Sequence, residues 1–216
     1  MGRRALRKID PLLDLSSHLF TVDELPNPWD PTQLFSENAP LEIEVGSGKG
    51  LFLETAALLN PGHNFLGVEV SRKYARFTAA RLARRDITSA IAVHGDGLRL
   101  FRELVPDGAL AAVHVYFPDP WWKKRHRRRR VLNEAFLSDA VRALQHLGRL
   151  HFWTDVKEYY DSTLELIAKR TPLAGPLEVA ERAAENDLGY HTHFERRTRL
   201  NDEPVYRAEF VKKHGP

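Results

Sequence analysis

From residue 41 onward the chain alternates short β-branched or apolar runs with stretches of helical period, and no other feature restricts its fold as much. The runs Leu41–Val45, Asn64–Val70, Ala90–His94, Ala109–Phe117 and Leu150–Thr154 read as strands. Between and after them, Lys49–Leu59, Ser71–Arg85, Gly97–Leu104, Asn133–His146 and Val156–Lys169 read as helices. In the fourth helix Leu132, Phe136, Ala140, Leu144 and Leu147 share a face, with Asn133 as N-cap and Gly148 as stop. After a turn at Pro172–Pro176, a strand is expected near Leu177–Ala180 and a final antiparallel strand over Val205–Lys212. Such alternation requires crossover connections, so an α/β fold is expected, with a mostly parallel seven-stranded sheet and helices on both faces. Pro26, Pro28, Pro31 and Pro40 interrupt the preceding stretch. Residues 1–40 are therefore expected to form an irregular basic arm, with one short helix around Leu12–Phe20, and residues 41–216 the domain.

Composition narrows the class. A chain of 216 residues, 43% hydrophobic and 28% charged, suits one folded domain and excludes a collagenous or broadly disordered protein. With no cysteine, disulfides, thiolate metal sites and cysteine nucleophiles are excluded. No apolar run approaches the roughly 20 residues of a membrane span, and the N-terminal GRRALRKID lacks a signal peptide's apolar core, so a cytoplasmic location is expected. Among the histidines, only His191 and His193 have ligand-like spacing, on a segment expected to be extended, and no metal is expected. A Ser–His–Asp hydrolase would need a nucleophile-elbow motif, which is missing.

The charge is unevenly placed. The octet KKRHRRRR, Lys123–Arg130, holds seven cationic side chains, and removing them takes the net charge from +3 to −4. Arg3, Arg4, Arg7 and Lys8 carry four more, leaving a body near −8. Concentrated positive charge on an acidic body points to a polyanion partner.

The first strand runs into Glu44-Val45-Gly46-Ser47-Gly48-Lys49-Gly50 and then a helix. Glycine suits a sharp reversal whose backbone approaches a ligand. A dinucleotide fingerprint would need glycine at position 51, which is Leu51, so a nicotinamide oxidoreductase is disfavoured. S-adenosylmethionine fits better, since it has no pyrophosphate to seat and needs only close passage of the loop by its methionine part. Glu69, ending the second strand, is placed to accept hydrogen bonds from ribose hydroxyls, and Asp96, after the third, to accept one from an adenine amino group. Three carboxylates at the carboxyl ends of successive strands lie where open α/β sheets bind ligands.

The fourth strand ends in Phe117-Pro118-Asp119-Pro120-Trp121-Trp122, directly before the basic octet. A carboxylate held between prolines, beside aromatics and a polycation, suits a nucleobase pocket on a polyanion. The loop resembles the Asp/Asn-Pro-Pro-aromatic loop of amino-methyltransferases without its second proline, which keeps amino-group methylation of an RNA base as the rival chemistry. A non-catalytic RNA-binding module is the other.

Taken in order and spacing, IEVGSGKG, NFLGVEV, HGDG, YFPDPWWKKRHRRRR, TDVKEY and THFERR resemble the bacterial tRNA (guanine-N7)-methyltransferase family over about residues 41–212. The resemblance implies a Rossmann-like class I methyltransferase fold. It also implies S-adenosylmethionine as methyl donor and tRNA as partner, rather than DNA or a membrane, in a monomer or homodimer. By it, Glu44, Gly46, Gly48, Glu69, Asp96 and Asp119 would bind the cofactor, with Asp119 catalytic as well. Lys123, Asp155, Thr192, His193, Phe194 and Glu195 would bind substrate, and Arg125, His126, Arg127, Arg128, Arg129 and Arg130 would lie against RNA. The family usually has His where Trp122 stands and Lys where His193 stands.

Overall fold

The computed structural model describes residue 6, residues 8–181 and residues 189–213, leaving aside the side chains of Lys124 and Arg127. Arg3, Arg4, Arg7 and the Arg127 side chain therefore lie outside the described residues. One sheet of eight strands organises the fold: β1 (Leu19–Thr21), β2 (Leu41–Val45), β3 (Asn64–Glu69), β4 (Ala90–His94), β5 (Leu110–Tyr116), β6 (Leu144–Thr154), β7 (Ala174–Leu177) and β8 (Tyr206–Val211). Their spatial order is β1-β4-β3-β2-β5-β6-β8-β7. Pairings from β1 through β6 are parallel, while β8 runs antiparallel to both β6 and β7. Among the described residues the α-helices are α1 (Leu51–Leu59), α2 (Arg72–Ala83), α3 (Gly97–Glu103), α4 (Glu134–Ala143), α5 (Lys157–Arg170) and α6 (His193–Leu200).

Strand parity decides what each face of the sheet carries. Ile43, Val45, Val113, Val115, Leu150, Phe152, Ala208 and Phe210 are buried in one apolar cluster with Phe101 of α3, Phe136 of α4 and Tyr159 of α5. The alternate residues of the same strands, Glu42, Glu44, His114, Tyr116, His151, Trp153 and Glu209, share the opposite face because side chains alternate along a strand. That second face packs Phe52 and Leu53 of α1 and Leu82 of α2 around Phe65, Tyr116 and Trp153.

Tertiary pairing overrides the local pattern in several places. Leu12–Phe20 is not helical: its end becomes β1, paired with β4 in the register Leu19↔Ala92, and His18 bonds through Nε2 to the Ile87 carbonyl at 2.9 Å. Open edge groups on β4 thereby gain partners, and the sheet has eight strands rather than seven. Val22, Leu25 and Phe35 are buried in the main cluster, so residues ahead of 41 contribute to the core.

Helix α4 begins as expected, with the Asn133 side chain accepting from the Phe136 amide at 3.0 Å. It ends at Ala143 because Leu144 pairs with Leu110 of β5, and Leu147, at φ 62°, lies exposed. Gly148 is not a helix stop. A Cβ there would sit 2.9 Å from the Gln145 carbonyl oxygen and 3.0 Å from that of Leu110, so the close approach of its own strand and of β5 requires glycine. The strand expected at Leu177–Ala180 lies at Ala174–Leu177, where it pairs with β8. The segment expected to be extended at His193 is instead the start of α6, capped by the Thr192 hydroxyl, which accepts from the Glu195 amide at 3.0 Å. His191 and His193 consequently do not alternate along a strand.

Candidate active site

Parallel pairing brings the carboxyl ends of β2, β3, β4, β5 and β6 to one edge, and the loops that follow them build the site. After β2 the chain turns through Gly46, Gly48 and Gly50, at φ 84°, 54° and 67°. Gly46 anchors the turn by donating to the Val68 carbonyl at 2.8 Å, and a Cβ on it would meet none of the described residues within 4 Å. At Gly50 a Cβ would collide with the Thr78 side chain of α2, which donates to the Gly48 carbonyl at 3.2 Å.

Glu44 lies at the end of β2 just ahead of this turn, 2% exposed, and its Oε2 has no hydrogen-bond partner among the described residues. Burial, reinforced by the neighbouring Glu69 charge, pushes its carboxyl up to about 8. A buried carboxylate lacking a partner beside an open glycine turn suits a ligand cation, and the ammonium of a methionine moiety supplies one. Glu69 accepts from the Gly48 amide at 2.9 Å and the Ser71 amide at 2.8 Å, tying the turn to the start of α2 while keeping acceptor capacity on both oxygens. Asp96 is exposed and caps α3, its Oδ1 accepting from the Leu98 amide at 2.9 Å. These residues fit an adenosyl cofactor: a cation partner, ribose acceptors and an exposed carboxylate on three adjacent strand ends.

Beyond β5, Asp119 is exposed in a turn whose flanks Phe117 and Trp121 have φ 48° and 45°. The Phe117 amide donates to the Trp153 carbonyl at 2.8 Å, fixing the start of the turn to β6. Asp155 follows β6 and is half-buried, while Lys123 is exposed. Phe194 of α6, 50% exposed, stacks on Phe117 with ring centroids 6.1 Å apart, which carries the Thr192–Glu195 segment to the Asp119 loop. His193 is exposed, its Nε2 3.2 Å from Arg81 Nη2. Glu195 does not join this open surface. It is buried and accepts from the His191 amide, Arg199 and Arg207; burial alone would raise its carboxyl, but the His191 hydrogen bonds and Arg207 hold it below the ordinary range.

The basic segment forms a short 3-10 helix over Lys124–Arg129. Arg125, Arg128 and Arg129 are exposed. Arg129 lies 5.0 Å over the Trp121 ring, the His126 ring meets the same indole edge-on, and Trp122 is 66% exposed. Arg130 departs from its neighbours: it is 6% exposed and turned inward onto α5, so its guanidinium is not presented to a phosphate.

Reading the sequence for motifs missed the polar row on the second face of the sheet. Glu42 bonds to His63 at 2.7 Å and to His114 at 2.6 Å; His114 stacks on His151, which sits 3.5 Å from Glu209. Burial holds both His114 and His151 below the ordinary imidazole range, against the pull of Glu42 in the case of His114. The only available signal was parity, since Glu42 and Glu44 must share a face.

A mostly parallel sheet with β8 inserted antiparallel, carrying a glycine turn and carboxylates on its carboxyl edge, defines a class I, Rossmann-like methyltransferase using S-adenosylmethionine. Solved structures of that class agree in fold: a 30S ribosomal A1408 methyltransferase from an uncultured bacterium has a TM-score of 0.60 at 18% identity, covering 84% of this chain and 91% of that one. A tRNA (m1A58) methyltransferase from Aquifex aeolicus has a TM-score of 0.51 at 16% identity, covering 82% and 63%. The family model described as "Putative methyltransferase" matches residues 38–208. A tRNA (guanine-N(7)-)-methyltransferase from Rhodopirellula baltica is 50% identical over 99% of this chain and 81% of its own length. One from Legionella pneumophila is 31% identical over 87% and 84%. The chain belongs to the bacterial tRNA (guanine-N7)-methyltransferase family.

Proposed function

We propose that the chain transfers a methyl group from S-adenosylmethionine to N7 of a variable-loop guanine in tRNA, in the cytoplasm. The observation that carries this reading is the exposed Asp119 carboxylate, on the loop that follows β5 beside the glycine-turn strand β2 and leads directly into the exposed arginines of the 3-10 helix. Glu44, Gly46, Gly48, Glu69 and Asp96 would hold the cofactor, which would supply an electrophilic methyl on a sulfonium. Guanine N7 bears an in-plane lone pair and no proton, so no residue has to act as general base. Attack by N7 on that methyl would form the nitrogen–methyl bond as the methyl–sulfur bond breaks, leaving the positive charge on the purine ring. Asp119 stabilises that developing cation and accepts hydrogen bonds from the N1 and N2 edge, so its work is positional and electrostatic. Lys123, Asp155 and the Thr192–Phe194 segment are assigned to the substrate, and Arg125, His126, Arg128 and Arg129 to the RNA backbone.

Nucleoside mass spectrometry of tRNA incubated with the protein and labelled methyl donor tests the reading. The expected product is 7-methylguanosine. A label found only on an exocyclic amino group would establish the rival chemistry that the Pro-Asp-Pro loop keeps open, and no transfer together with no cofactor binding in calorimetry would leave an RNA-binding module.

A further inference from the structure

Arg130 makes more internal bonds than a phosphate-binding side chain could keep. Its Nε donates to the Pro120 carbonyl at 2.8 Å, its Nη2 to Glu158 Oε2 at 2.7 Å and its Nη1 to Ser162 Oγ at 3.2 Å. The guanidinium carbon lies 4.3 Å from the centroid of the Tyr159 ring. Its own carbonyl accepts from Asn133 Nδ2, the side chain that caps α4, at 3.0 Å. One planar cation thus joins the carbonyl following Asp119 to the first two turns of α5.

The Asp119 turn needs such an anchor. Pro118 and Pro120 have no N–H to donate, so the carbonyl of Pro120 is one of the few handles by which the turn can be fixed. Phe117 and Trp121 both hold left-handed backbone conformations that non-glycine residues adopt only when the surroundings impose them. The Phe117 amide secures one end of the turn to β6, and Arg130 secures the other to α5. We propose that Arg130 is a positioning residue which clamps the Pro118-Asp119-Pro120 turn against α5, and is not an RNA contact. The inference rests on the catalytic role given to Asp119 above. Lysine cannot replace the guanidinium, because three donors in one plane reach three acceptors on two elements and an ammonium on a flexible stem does not.

Arg130→Lys tests the clamp with charge retained. Amide hydrogen exchange in a peptide spanning residues 116–123 should speed up, and the single-turnover methylation rate should fall at least tenfold. The tRNA dissociation constant should stay within about twofold, with its salt dependence unchanged. Glu158→Gln, altering the clamp at its α5 end, should move exchange and rate in the same direction and provides the test if Arg130→Lys does not fold. Unchanged exchange in both variants overturns the proposal. So does a fall of about one in the salt slope of tRNA binding for Arg130→Gln, which removes the charge that Arg130→Lys retains, the signature of a lost phosphate contact. Asp119→Asn, assayed alongside, separates two failures: normal turnover in all three variants removes the role of Asp119, whereas normal turnover in the Arg130 and Glu158 variants alone removes the clamp.

Discussion

Replacing Glu44 by Gln should make the cofactor-free protein less sensitive to rising pH while weakening its hold on S-adenosylmethionine. In the fold the Glu44 carboxyl is pushed up from an ordinary 4.5 to about 8, chiefly by burial. Between those values the folded state keeps a proton that the unfolded chain releases, so stability falls as pH rises, and the loss is complete above about 8. At 1.36 kcal/mol per pH unit the interval sets a ceiling of about 5 kcal/mol. For a chain of this size that corresponds to roughly 10–20 °C in melting temperature. Glutamine cannot titrate, and the cost of burying its amide does not vary with pH. The difference between the two melting profiles from pH 5 to 8 therefore isolates the carboxyl. If a cofactor ammonium meets the orphan Oε2, binding at pH 7 should release up to one proton in the wild type and none in Glu44→Gln, read by titration calorimetry in buffers of different ionisation enthalpy. Parallel melting profiles for the two proteins, or equal proton release, would refute the reasoning.

Asp119→Asn keeps the shape of the carboxylate, loses its charge and turns an acceptor into a donor. Its single-turnover methyl transfer should fall by about 2 kcal/mol, roughly thirtyfold, with cofactor affinity better preserved, and a near-normal rate would reduce Asp119 to a turn-forming residue. Replacing Arg125, Arg128 and Arg129 together by Ala should lower the slope of log affinity against log salt for tRNA by about two to three, from roughly 0.7–0.9 counterions per phosphate contact; an unaltered slope would make them a solvated face. His151, held below the ordinary imidazole range by burial, stays neutral in the fold while the unfolded chain takes up a proton below about 6.5. Its contribution to stability is thus present above that pH and lost on acidification, so His151→Gln should flatten the acid limb of a chemical-denaturation profile, and an unchanged limb would count against this.

Local chemistry alone determined much of this protein. The strand runs of β2 to β5, the glycine turn between β2 and α1, and the carboxylates ending successive strands were legible because side-chain period and turn chemistry act over a few residues. The Pro-Asp-Pro turn and the basic octet were legible as composition. Long-range pairing decided the rest. Leu19–Thr21 became a strand only because β4 offered an open edge, and α4 stopped at Ala143 because β5 claimed Leu144 for the sheet. No local pattern distinguishes Arg130 from Arg129. The first is drawn inward by a proline carbonyl ten residues back and by α5 nearly thirty residues on, while the second stacks on Trp121 in solvent. Likewise Glu44 could be placed at the site from its motif, but burial beside Glu69 sets its proton affinity, and burial is a property of packing that no single strand contains.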